Sequence, residues 1–294
     1  MATIAAGGKG QGERLDQFDG PIGICFDDHN RAIYVADMKN HRIVEWKSNE
    51  QSGRVVVGGN GRGNRLDQLN IPTDVVIDRQ NNAFIIADQG NRRVVGWPRQ
   101  SGCSSGKIII SDIDCARLAI HQDGFLYVSD WKKNEVRRWK IGETRGIIVA
   151  GGNGEGDQLN QLHFPTHLCV NPAHTLYISD HKNHRVMKWM KDAKEGIVVA
   201  GSDGQGDRAT QLSFPHGVIV DQFGRIYVVD CWNHRVMRWW EGTKDGTIVV
   251  GGNGEGDEAN QLSYPISLSM DGEGNLYVAD YKNNRIQKFD RDSN

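Results

Sequence analysis

The sequence predicts an all-β fold: a six-bladed β-propeller of four-stranded antiparallel blades, closed by the N-terminal strand pairing in the last blade. Three observations carry this. An Asp that ends a strand-like phrase recurs at Asp37, Asp88, Asp130, Asp180, Asp230 and Asp280, in steps of 51, 42, 50, 50 and 50 residues, a period that marks a repeat architecture. Each unit holds four short strand-like runs separated by Gly-, Asp- and Asn-rich turns, with no helical period. The chain also begins with the piece that its last unit lacks.

Residues 196–246 show the pattern. Ile197-Val198-Val199-Ala200 is a short apolar strand ended by Gly201. A glycine-rich loop follows and closes at Phe214-Pro215. Val218-Ile219-Val220 is the next strand, and Asp221-Gln222-Phe223-Gly224 a turn. Arg225 to Val229 is a third strand, Asp230 to His234 a second turn, and Arg235 to Trp239 a fourth strand. Such a sheet cannot bury both faces alone, whereas copies packed radially can. The last repeat stops at Arg285-Ile286-Gln287-Lys288-Phe289, and Thr3 to Gly8 matches Thr247 to Gly252. The N-terminal strand is therefore expected to complete the sixth blade and remove the open sheet edges. Residues 1–294 read as a single propeller domain.

The formal net charge is −2, with both signs spread along the chain, which gives no bulk electrostatic support for a polyanion partner. No basic region followed by an apolar stretch opens the sequence, and no apolar run reaches transmembrane length; no membrane partner is expected, and the compartment is left open. The five cysteines, Cys25, Cys103, Cys115, Cys169 and Cys231, form no paired framework and are expected to be reduced, partly buried thiols. The run Ile108-Ile109-Ile110 reads as a strand that holds Cys103 and Cys115 apart.

Ala36-Asp37-Met38-Lys39-Asn40-His41-Arg42-Ile43, Ser179-Asp180-His181-Lys182-Asn183-His184-Arg185-Val186 and Val229-Asp230-Cys231-Trp232-Asn233-His234-Arg235-Val236 resemble the NHL repeat. The resemblance runs over essentially the whole chain and implies a six-bladed propeller. The family is functionally mixed. It holds RNA-binding and protein-binding modules, sensor domains, and a peptide-amidating lyase with a related propeller, so fold alone does not assign function.

The repeat separates scaffold from specificity. Asp, Asn and Arg recur together in five blades (Asp37/Asn40/Arg42 is the first set), so they are expected to satisfy turn backbone and one another. Blade three departs, with Lys133-Asn134-Glu135 in place of Asn-His-Arg and about eight residues fewer in the loop before Cys115. Trp46, Trp97, Trp139, Trp189 and Trp239 are expected in the core, leaving Trp131, Trp232 and Trp240 outside the series. Positions just after the repeated Pro and the repeated Asp vary, and both are expected on one upper face around the mouth of the central channel. Asp74, Arg117, Trp131, Lys132, His167, His181, His216, Trp232, Tyr281 and Lys282 are the candidate ligand-binding residues there.

Metal readings are weak. In the amidating lyase, Pro-His at the start of several first strands supplies zinc histidines, and this chain has only Pro215-His216, with His167 one residue late. A zinc centre needs three or four converging ligands. The loops around Asn153-Gly154-Glu155-Gly156-Asp157 and Asn253-Gly254-Glu255-Gly256-Asp257 space oxygens as calcium loops do but lack a bidentate Glu. No cofactor is predicted and no catalytic residue assigned. The expected function is a non-enzymatic scaffold module, monomeric and part of a larger protein, recognising a protein or peptide ligand. Single-stranded RNA binding, from lysines beside Trp131, Trp232 and Tyr281, is the first alternative, and a metal-dependent lyase or hydrolase the second.

Overall fold

The structure is a computed structural model that describes residues 2–100 and 104–291. The described strands form six four-stranded antiparallel sheets. The N-terminal strand β1 is Ala2–Gly7. Blade one is β2 (Pro21–Asp27), β3 (Ala32–Asp37), β4 (Arg42–Lys47) and β5 (Arg54–Gly58). Blade two is β6 (Pro72–Asp78), β7 (Ala83–Asp88), β8 (Arg93–Pro98) and β9 (Lys107–Ser111). Blade three is β10 (Cys115–Ile120), β11 (Phe125–Asp130), β12 (Glu135–Lys140) and β13 (Ile147–Gly151). Blade four is β14 (Pro165–Val170), β15 (Leu176–Asp180), β16 (Arg185–Trp189) and β17 (Ile197–Ala200). Blade five is β18 (Pro215–Val220), β19 (Arg225–Asp230), β20 (Arg235–Trp240) and β21 (Thr247–Gly251). Blade six is β22 (Pro265–Met270), β23 (Leu276–Asp280) and β24 (Arg285–Phe289), and β1 completes it by pairing antiparallel to β24 from Ala2↔Phe289 to Gly7↔Arg285. These are the blades of a six-bladed β-propeller, with the last one finished from the other end of the chain.

By contacts the chain forms two compact units, Met1–Asp112 with Gly256–Asn294, and Ile113–Glu255. The first holds blades six, one and two, and the second holds blades three, four and five. Within each unit, apolar side chains of consecutive blades merge. In the first unit Tyr34 and Ile43 of blade one pack with Val75, Phe84 and Ile86 of blade two. In the second, Tyr127 and Val136 pack with Leu168 and Ile178. All five repeated tryptophans are buried. The glycine-rich loops are anchored by Phe18, Leu69, Leu162, Leu212 and Leu262, all fully buried.

The recurring polar set holds each loop to its blade. In blade four, Asp180 Oδ1 accepts the His163 backbone N–H at 2.6 Å, and Oδ2 accepts from Asn183 Nδ2 at 2.8 Å and Arg185 Nε at 2.7 Å. Arg185 Nη1 and Nη2 donate to the loop carbonyls of Asp157 and Gln158 at 2.6 and 3.0 Å, and Asn183 Nδ2 also reaches Gly156 O at 2.8 Å. Burying these charges is tolerable because charge-assisted bonds surround them. Blade three has lost both halves of this arrangement. Residues 112–114 connect β9 to β10, whereas thirteen residues, 59–71, connect β5 to β6. Glu135 stands where the Arg would be and pairs with Arg137 at 2.5 Å. Asp130 Oδ1 keeps a bond from Lys133 N at 3.1 Å, but Oδ2 is buried with no hydrogen bond, 4.0 Å from Lys133 Nζ.

Burial raises the Asp130 carboxyl above the usual range, as it does that of Asp180, but only Asp180 has an Asn and an Arg donating to it. A folded-state value above the unfolded one means that ionised Asp130 destabilises the fold at neutral pH, a penalty relieved as pH falls through that raised value. Asp130→Asn should therefore stabilise the protein at pH 7 by about 1 kcal/mol, because an uncompensated buried charge is removed, with the gain shrinking in acid. Asp180→Asn should instead cost about 3 kcal/mol or more by stranding Arg185. Urea denaturation of both variants across pH checks this, and an Asp130→Asn protein less stable than wild type at pH 7 contradicts it.

Candidate ligand-binding site

In the second unit, three blades present the same end: the residue before the first strand, the opening of that strand, and the turn after the second strand. Register irregularities fall between Cys115 and Leu118, Pro165 and Leu168, and Pro215 and Val218. Such bulges re-aim side chains, and Ala116, Arg117, Thr166, His167 and His216 lie within them. Phe164 and Phe214, just before the repeated Pro, have φ of 57° and 51°. The left-handed region costs a bulky residue on the order of 1 kcal/mol. Each is held there by the preceding blade: Phe164 N donates to Asn134 Oδ1 at 2.8 Å and Phe214 N to His184 Nδ1 at 3.1 Å. Those acceptors themselves have φ of 54° and 55°, a conformation that Asn and His adopt more readily than most residues.

The result is an unbroken line of rings. Trp131 lies 4.9 Å from Phe164, Phe164 5.6 Å from His181, His181 5.2 Å from Phe214, and Phe214 4.5 Å from Trp232, centroid to centroid. Lys182 Nζ sits 5.4 Å over Phe164. Trp232 is 54 % exposed and Trp131 half-buried. Lys132 is exposed beside Trp131. The sequence reading named Trp131, His181 and Trp232 but missed Phe164 and Phe214, which bridge them. The available signal was the ring before Pro165 and Pro215, where blades one and three have Gly20 and Asp114.

Polar groups with little exposure adjoin the rings. Arg117 is 1 % exposed. His167 Nδ1 accepts from Val218 N at 3.3 Å. His181 Nδ1 donates to Pro215 O at 3.1 Å, which leaves Nε2 unprotonated, and its ring meets that of His216 edge-on at 5.4 Å. Burial pushes His167 down to about 3 and His181 to about 4, each aided by neighbouring positive charge. Burial, then His181, Arg117 and His167, holds His216 well below 6.5. His216 Nδ1, Thr166 Oγ1 and Ser179 Oγ are buried without hydrogen-bond partners, as groups completed by a ligand or water often are.

The remaining candidates lie in the first unit. Asp74 is buried on β6 opposite Ala87. Lys282 Nζ sits 3.8 Å over Tyr264, and Lys39 Nζ 5.8 Å over Tyr281. Trp240 is exposed at the far end of β20, with the Arg225 guanidinium 5.8 Å over its ring. A cleft of about 990 Å³ in the first unit, lined by Asp28, Arg31, Trp46, Glu50, Asp271 and Tyr277 among others, contains none of the predicted residues. Burial raises the Cys25 and Cys169 thiols to about 12; Cys103, and with it the expected Cys103–Cys115 separation, lies outside the described residues. Among the described residues, one set of three His, Cys, Asp or Glu side chains brings its ligand atoms within 4.8 Å of one another: His121, Asp123 and His174. It includes neither His167 nor His216.

The NHL repeat family model matches residues 18–46, 212–238 and 262–289. The chain carries NHL repeats. No curated protein matches the sequence. Solved structures resemble this NHL propeller in fold. An auxiliary nutrient binding protein from Bacteroides thetaiotaomicron is 17 % identical with a TM-score of 0.75, over 98 % of this chain and 75 % of its own. A gluconolactonase from Xanthomonas campestris is 13 % identical with a TM-score of 0.67, over 93 % and 86 %. A virginiamycin B lyase from Staphylococcus aureus is 12 % identical with a TM-score of 0.59, over 98 % and 97 %.

The depressed histidines fix a pH dependence. The unfolded chain takes up their protons near about 6.5, while the folded NHL propeller keeps them neutral to much lower pH. Their contribution is whole above that value and is lost as pH falls below it. Stability should drop between pH 6.5 and 5, and His181→Phe should flatten the slope. Denaturant titrations at a series of pH values measure this; equal slopes in both proteins would contradict it.

Proposed function

We propose that this chain is a non-enzymatic binding module whose ligand, a protein or peptide segment, lies along the ring line of blades three to five. The observation that carries the reading is Trp232. It is 54 % exposed, at a position held in other blades by Lys39, Gly90, Lys132, Lys182 and Lys282. An exposed indole at the end of four further rings gives large, rigid contact area at low entropic cost. The neutral histidines offer hydrogen bonds without fixed charge, and Lys132 and Lys182 flank the line. A peptide with apolar or aromatic side chains and an acidic group suits this surface. The likeness to a nutrient-binding protein agrees with a ligand-taking role, while the likeness to a lactonase and a lyase shows that the same fold also carries chemistry.

Nucleic acid is the less favoured ligand because the net charge is −2 and the flanking cations are few. The test is selection of peptides from a displayed library on the purified protein, followed by affinity measurement. Trp232→Ala and Trp131→Ala should each weaken selected peptides by about 1–2 kcal/mol or more, while Trp240→Ala leaves them unchanged. Single-stranded oligonucleotides form the parallel arm. Steeply salt-dependent RNA binding with no peptide selected would overturn the reading.

A further inference from the structure

The other end of blades three and four carries a second departure from the repeat. The turn between the first two strands is opened by Asp27, Asp78, Asp221 and Asp271 in four blades and by Asn171 in blade four. Each uses a side-chain oxygen to accept a backbone N–H within the turn, as Asp221 does from Phe223 N at 2.9 Å and Asn171 from Ala173 N at 3.0 Å. Blade three has His121, whose Nδ1 does that work by accepting from Asp123 N at 3.2 Å. The fourth turn residue has positive φ and is Gly124, Gly224 or Gly274 in three blades, but His174 in blade four, at φ 60°. The two departures meet: the His121 and His174 rings stack at 3.7 Å with 28° between planes.

Asp123 completes the group. Its Oδ2 is 3.3 Å from His121 Nδ1 and 3.3 Å from His174 Nε2. A charge-assisted N–H···O⁻ bond is about 2.7–2.9 Å long. Ligand atoms that share a tetrahedral ion at bond lengths of about 2.0–2.2 Å stand about 3.3–3.6 Å apart, which matches both separations. The outer nitrogens are already engaged as metal-bound imidazoles require. His121 Nε2 faces Pro172 O at 3.3 Å, where only an N–H can donate, so Nδ1 carries the lone pair. His174 Nδ1 meets the Tyr127 hydroxyl at 2.8 Å.

We propose that His121 Nδ1, His174 Nε2 and Asp123 Oδ2 form a binding site for one divalent transition-metal ion of the zinc class. Two imidazoles and one carboxylate suit zinc, cobalt or nickel and disfavour calcium and magnesium, which take oxygen ligands. Three protein ligands leave a fourth position for water, and Asp123 is 55 % exposed, so that position opens to solvent. On binding, the His121 and His174 rings turn out of their stack so that each in-plane lone pair meets the ion, the single His174 proton resides on Nδ1 and donates to Tyr127, and Asp123 N exchanges its bond to His121 for solvent.

The repeat supplies variants that keep the turns. His121→Asn copies Asn171, and His174→Gly copies Gly224 and relieves the positive φ. Zn²⁺ titrated against a chromophoric chelator should show one saturable equivalent in wild type, and Co²⁺ should give a tetrahedral visible absorption band. Both variants and Asp123→Asn should lose uptake while their melting temperatures without metal stay equal or rise. Tyr127→Phe should weaken it by about tenfold or more, and His216→Ala should not change it. Zn²⁺ should raise the melting temperature of wild type alone. Absence of a saturable equivalent in wild type, or equal uptake by His121→Asn and His174→Gly, overturns the site.

Discussion

A buried carboxylate at the end of each second strand organises the rest of the structure. Asp37, Asp88, Asp180, Asp230 and Asp280 each accept from a backbone N–H of the preceding loop, from an Asn three residues on and from an Arg five residues on. The Arg spends its other nitrogens on loop carbonyls, so one ion pair fastens a long irregular segment to a sheet. The arrangement is viable only as a whole, since a buried charge that loses its partners is costly. This explains why the loop and the Arg disappear together in blade three. With residues 112–114 in place of a full loop, an Arg at position 135 would meet none of the carbonyls that serve it elsewhere. Glu135 and Arg137 form a local pair instead.

A second constraint couples one blade to the next. The His or Asn two residues before the end of the repeated phrase turns into the left-handed region and accepts a backbone N–H from the following blade: His41 from Ile71, Asn134 from Phe164, His184 from Phe214, Asn284 from Gly20. The contact fixes where the residue before the first strand points. In blades four and five that residue is Phe, and the scaffold bond thereby sets two rings between Trp131, His181 and Trp232. The candidate site is built on repeat architecture, with its chemistry supplied by what the repeat leaves open.

The fold was legible because its period is long, regular and internally controlled. The five tryptophans, the Asp–Asn–Arg set and the borrowed strand could each be read by comparing one unit with the next. The site was half legible. Trp232 stands out because a large ring replaces Lys or Gly two residues after the repeated Asp, and Trp131 because it falls outside the tryptophan series of the repeat. Phe164 and Phe214 do not, because a ring before Pro reads as the close of a loop, and the left-handed backbone that exposes it has no signature at that residue. His121 and His174 were hidden for another reason. Fifty-three residues separate them, and only the packing of β10 and β11 against β14 stacks their turns.

Both departures lie in the second unit, and β11 spans them. Tyr127 reaches His174 from one end, and Asp130 leads into Trp131 at the other. Trp131 follows the end of the strand, four residue steps from Tyr127, about 13 Å at about 3.3 Å per residue. The strand is paired on both sides, to β10 and β12, so it offers no hinge. Sites this far apart on a rigid element, with no shared partner, contribute additively. The metal-class cluster and the ring line are therefore two separate additions to one scaffold. Each is placed where the loop-fastening carboxylates make no demand on the side chain.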